Sequence, residues 1–129
     1  MIEGPMQRLN LPLFRREAPW MVMLLLGLAP WLVIPDLAQV REAWDSPWFM
    51  AVALPVITLG ATIGGWLSPT RAWLMAPAAI TGQFVGLFAK APPANPVFLI
   101  MGSITMFILH APALGAALGA AAVRRRLDR

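Results

Sequence analysis

Long apolar stretches without a single Asp, Glu, Lys or Arg dominate this chain. They cover Pro19–Pro35, Pro47–Leu67, Ala72–Ala89 and Val97–Val123. Each approaches the roughly 20 residues that a helix needs to cross a bilayer core of about 30 Å. The expected fold class is therefore all-α, a four-helix transmembrane bundle of two antiparallel hairpins, with helices at about 19–35, 47–67, 72–89 and 97–123. Residues 1–129 are expected to form a single integral membrane domain, led by a cytoplasmic or interfacial segment over 1–18.

Composition excludes most alternatives. Apolar residues make up 59% of the 129-residue chain and charged residues only 12%, against about 25% charged in a soluble domain. The net charge of +4 comes from arginines bordering membrane segments, so no nucleic-acid partner is expected. The chain has no Cys, which removes disulfides, thiolate catalysis and Cys-ligated metals. A cleaved leader is not expected either. The run after Arg15 and Arg16 begins at Pro19, carries Pro30 and is followed by no A-x-A site.

Orientation follows from the basic residues. Arg8, Arg15, Arg16, Arg71, Arg124, Arg125, Arg126 and Arg129 fall on one side of the runs, and only Arg41 and Lys90 on the other. The positive-inside rule then puts both termini in the cytoplasm. The expected location is the bacterial inner (cytoplasmic) membrane. Trp20, Trp66 and Trp73 mark one interface, Trp44 and Trp48 the other.

The connections carry turn chemistry. Pro5 and Pro12 are expected to prevent a continuous helix in the lead. Ser46-Pro47 and Asn95-Pro96 read as N-cap plus first helical residue. Ser68-Pro69-Thr70 is a tight turn, and Lys90–Asn95 a short stiff link. Asp36, Glu42 and Asp45 read as a solvated loop. The last run would be about 40 Å long as a helix, more than the core needs, so it must tilt, kink at Pro112 or protrude. Pro30, Pro55, Pro77 and Pro112 each free a backbone carbonyl, for which Ser and Thr hydroxyls are candidate partners.

Glycines at G-x-x-x-G spacing mark close helix contacts: Gly60 and Gly64, Gly82 and Gly86, Gly115 and Gly119. Helices two, three and four are expected to pack through these faces. Helix one, with only Gly27 and Ala29 for close approach, is expected to be peripheral.

Polar groups inside the spans are few: Thr58, Thr62, Thr81, Gln83, Ser103, Thr105 and His110. Counting along each helix puts Gln83 and Ser103 both about 9 Å deep, and His110 at about 20 Å, near Thr58 and Thr62. His110 is the sharpest functional candidate, as a cofactor ligand or proton carrier. Its competing role is structural: burial with no acid nearby in sequence favours a neutral imidazole hydrogen-bonded to a neighbour. No particular cofactor is implied, and three loop acids without a scaffold imply no metal site. Arg124, Arg125 and Arg126 are candidates for contact with lipid head groups or a partner subunit.

Catalysis is not expected. There is no nucleotide-binding glycine loop, no G-x-S-x-G and no H-E-x-x-H, and Asp36 and Asp45 lie some 20 Å from His110 by the same rise count. The expected function is a non-catalytic accessory or scaffold subunit of a larger membrane complex. Its expected partners are membrane lipids and other transmembrane subunits or a second copy. The alternative is a small oligomeric transporter or channel with a path lined by His110, Thr58, Thr62 and Gln83.

Overall fold

The computed structural model describes residues 5–129, with side chains from residue 14 onward. The described chain is all-helical. Helix α1 spans Pro5–Ala38, α2 Leu54–Leu67, α3 Met75–Lys90 and α4 Pro96–Leu127. Four segments are long and apolar enough to cross a membrane: Phe14–Ala38, Phe49–Leu67, Pro69–Lys90 and Pro96–Leu127. They coincide with the four uncharged runs.

Helix starts and stops follow local chemistry. Asn95 Oδ1 accepts from the backbone N–H of Val97 at 3.0 Å and of Phe98 at 3.1 Å, and Pro96 fills the position where no donor is missed. Ser46 Oγ accepts from Trp48 N–H at 3.3 Å ahead of the second span. At the end of α1, Gln39 takes a left-handed conformation (φ 54°) and Val40 N–H donates back to the Pro35 carbonyl. This pattern closes a helix C-terminus by satisfying carbonyls that the ladder leaves free.

One expectation about prolines is corrected. The backbone is helical from Pro5 through Pro12 into the first span, so no break separates a lead from helix one. A proline inside a helix removes one donor and bends the rod; it need not end it. The side chains of Arg8 and its apolar neighbours lie outside the described residues. In the second span, Phe49–Ala53 forms a π turn that ends two residues before Pro55. Widening the turn draws the carbonyl ladder away from the proline ring, the contact that an α-turn would crowd.

Helix pairing is the larger correction. The most extensive contacts are α1 with α3 and α2 with α4, ahead of either sequence-adjacent pair. Leu24 and Leu28 meet Gly82, and Trp31 meets Gly86, so contacts advance together along α1 and α3 and the two run parallel. Helix one is thus docked along α3 rather than detached at the edge, although most of its surface stays exposed and α3 is the most buried span. Met23 and Trp31 on it are fully buried, and a Cβ on Gly27 would run into the Ala79 carbonyl. Its buried residues recur at Met23, Gly27, Trp31 and Pro35, one per helical turn, and face the small-residue surface of Ala76, Ala79, Gly82 and Gly86. Close approach needs only one bare face per contact, so α1 docks on the glycines of α3 while offering mainly large side chains itself. On α4 the buried stripe is Met106, His110, Ala113, Ala117 and Ala121. Gly65 of α2 lies directly against the Ala117 carbonyl.

Contacts also tie the ends of the bundle. At one end Glu17 pairs with Arg71 at 2.9 Å and accepts from Trp20 Nε1 at 2.7 Å. Ser68 Oγ donates to the Arg16 carbonyl, and Arg125 reaches the Pro69 carbonyl. At the other end Lys90 pairs with Asp36 at 2.9 Å, and Trp31 meets Trp44 edge to face at 5.1 Å between ring centroids.

Candidate functional site

Among the described residues, the polar centre of the bundle is the pair of Gln83 on α3 and His110 on α4. Both side chains are buried, and Gln83 Nε2 lies 2.8 Å from His110 Nε2. His110 occupies the buried stripe of α4 one turn after Met106. Its Nδ1 lies 2.8 Å from the Met106 carbonyl. A carbonyl only accepts, so Nδ1 carries the proton. In the neutral ring Nε2 is then the acceptor, and the Gln83 amide donates to it. Both ring nitrogens are therefore engaged within the fold.

This arrangement sets what the imidazole can do. Ligating a cofactor through Nε2 requires Gln83 to move away, and ligating through Nδ1 requires breaking the bond to Met106. Protonating Nε2 would turn it into a donor, and the Gln83 amide would have to rotate to present Oε1. That oxygen is buried without a hydrogen-bond partner, as is Trp31 Nε1. Among the described residues no group of three or more His, Cys, Asp or Glu could hold a metal ion.

The other predicted polar residues are not gathered here. Thr62 Oγ1 donates to the Thr58 carbonyl at 2.8 Å, Ser103 Oγ to Leu99 at 2.7 Å, Thr81 Oγ1 to Pro77 and Thr105 Oγ1 to Met101. Each hydroxyl bonds the carbonyl one turn back on its own helix. None of these is a carbonyl freed by a proline. An own-turn acceptor is always in reach and requires no second helix to be ordered, so it wins. Equal depth would pair Gln83 with Ser103 and set His110 beside Thr58 and Thr62; the structure pairs Gln83 with His110 instead. Depth counting misleads because α3 and α4 are not level. Gln83 lies about two turns from the end of α3, whereas its partner lies about four turns into α4. Thr58 and Thr62 instead line an open cleft of about 610 Å³ between α2 and α4, with Leu109 and Pro112 opposite.

The predicted glycines divide into two sets. A Cβ on Gly82 or Gly86 would strike α1, at the Leu24 carbonyl and the Trp31 Cβ. One on Gly60 would meet Leu26 at 2.7 Å, and one on Gly64 would meet Met75 at 2.6 Å. Around Gly115 and Gly119 nothing lies within 4 Å. These two face outward on α4, the most exposed of the four spans. Of the terminal arginines, Arg124 lies over the Trp66 ring at 5.5 Å and pairs with Asp128 at 3.0 Å, Arg125 holds the Pro69 carbonyl, and Arg126 is exposed.

Sequence reasoning overlooked Glu17 and Gly65. The signal for Glu17 was present: it is the acid in an otherwise basic border, next to a Trp one turn on. The signal for Gly65 was the doubled glycine, which the G-x-x-x-G spacing masked. Comparison with known proteins returns no family model that matches the chain, and no curated protein or solved structure with significant similarity to it.

Proposed function

We propose that this chain is a non-catalytic integral subunit of a larger complex in the bacterial inner membrane, acting as an accessory or scaffold that associates through α4 with a transmembrane helix of a partner protein. The open Gly115–Gly119 face carries this reading. Gly27, Gly60, Gly64, Gly65, Gly82 and Gly86 are all filled by contacts within the chain, and these two are not. Water drives no association inside lipid, so bare helix faces gain by packing against another helix at short range. The engagement of both His110 nitrogens supports a structural role for that residue. Arg16, Arg71, Arg124 and Arg125 gather at one end of the bundle and Arg41 and Lys90 belong to the other, which supports cytoplasmic termini under the positive-inside rule.

The rival reading, a small oligomeric transporter or channel, rests on Thr58 and Thr62 in their cleft; Gln83 and His110 do not share its lining. Purification in mild detergent, followed by mass spectrometry of what stays bound, separates the two. The expected result is a stoichiometric partner protein that is lost in a Gly115→Leu/Gly119→Leu variant whose helical content and melting are unchanged, whereas a stable homo-oligomer with no other protein bound favours the rival. A wild-type chain that elutes alone as a monomer, or a variant that keeps its partner, defeats the proposal.

A further inference from the structure

Opposite the end where Glu17 pairs with Arg71, a cleft of about 530 Å³ opens between the ends of α3 and α4. This lies within the roughly 300–1,000 Å³ typical of small-molecule sites. Its walls are apolar, with Leu87 from α3 and Met101 and Leu109 from α4. Arg41 and Glu42 stand at its rim, and Trp44 forms one side.

The rim is held in place. The Trp44 ring meets the buried Trp31 edge to face, and its indole N–H donates to the Glu42 carboxylate. Gly102 lets α4 pass beneath the ring, since a Cβ there would come within 3.1 Å of it. Arg41 is exposed and forms no ion pair among the described residues, whereas Lys90 nearby is taken by Asp36. The cleft therefore presents a guanidinium and a carboxylate side by side above an apolar slot.

We infer that this cleft binds a zwitterionic phospholipid with a primary amine. Its phosphate sits on Arg41, its ammonium faces Glu42, and one acyl chain lies along Leu87, Met101 and Leu109. A guanidinium matches phosphate by paired charge-assisted hydrogen bonds. Trp44 and the exposed Trp48 mark this level as a membrane interface, where lipid head groups are found. An apolar slot beside lipid fills with hydrocarbon at no cost in unsatisfied polar groups, and the adjacent charge pair selects the head group.

Native mass spectrometry of the full chain in mild detergent, titrated with dioleoyl phosphatidylethanolamine, tests this directly. The wild type is expected to hold one lipid per chain. Arg41→Gln is expected to weaken binding about tenfold. Thr105→Phe, at an exposed position lining the slot, is expected to abolish it by filling the space. Circular dichroism confirms the fold of both variants. Lipid binding unchanged in both variants overturns the inference. So does equally tight binding of the soluble head group glycerophosphoethanolamine, or a cross-link from position 101 showing a protein segment in the slot.

Discussion

Replacing Gly82 with Ala adds one methyl group where the backbones of α3 and α1 touch. The methyl would run into the Leu24 carbonyl oxygen, and it would stand only 2.9 Å from Leu28 N and 3.0 Å from the Leu24 carbonyl carbon. These are main-chain atoms that cannot rotate aside, so α1 itself must retreat and loosen the seam that buries Met23 and Trp31. Overpacking of this kind costs about 1–3 kcal/mol, and the upper part of that range applies when the obstacle is backbone. Helix propensity acts in the opposite direction, favouring Ala over Gly by about 1 kcal/mol, so the net loss expected is about 2 kcal/mol. Gly115→Ala is the same chemical change on a helix of the same bundle, with nothing within 4 Å. It keeps only the propensity gain, so the two variants should differ by about 3 kcal/mol, more than a hundredfold in the folding equilibrium. Reversible unfolding in mixed micelles, followed by tryptophan fluorescence and circular dichroism, measures that gap. Equal stabilities for Gly82→Ala and Gly115→Ala would refute the close-packed α1–α3 seam.

Three further outcomes are expected. Gln83→Leu leaves the buried His110 Nε2 without a donor and should cost about 1–3 kcal/mol; the double variant Gln83→Leu/His110→Leu should lose less than the two single losses combined, and strict additivity in the same unfolding assay would show that the pair is not coupled. Glu17→Gln releases Arg71 and Trp20 at a part-exposed site, so it should cost no more than about 1 kcal/mol and the cost should shrink with added salt; a larger, salt-independent loss would contradict a screened ion pair. Because the chain has no Cys, Thr70→Cys and Leu37→Cys can be labelled one at a time with an impermeant maleimide in sealed vesicles; the two sites should react from opposite faces, and labelling from one face would contradict a membrane crossing between them.

The spans were legible in the sequence because exclusion of charge is a property of each segment by itself. Caps were legible for the same reason: Asn95 needs only its next residues to do its work. Partner choice was not. Which glycine face meets which helix depends on three-dimensional register, and nothing in Gly82 or Gly86 says that Leu24 and Trp31 will cover them. Helix one looked peripheral because its own face is bulky, yet one smooth surface is enough for a close contact and α3 supplies it. The polar residues showed the same divide. His110 and Gln83 stood out as buried polar groups, but their pairing was hidden by the unequal levels of α3 and α4. Thr62, Thr81 and Thr105 turned to carbonyls one turn back on their own helices, which a count of available donors does not reveal.

The interleaved pairing of α1 with α3 and α2 with α4 has a consequence for biogenesis. The first two helices to leave the ribosome cannot complete their packing with each other, because the surfaces they match are still unsynthesised. The nascent chain must keep Trp31 and the Gly64 and Gly65 face of α2 against lipid or an insertion chaperone until the second half arrives. The same logic makes the halves mutually dependent. A chain cut at the Ser68–Thr70 turn leaves each fragment with bare seams that only the other fragment fills, so two co-expressed pieces have a strong reason to reassemble.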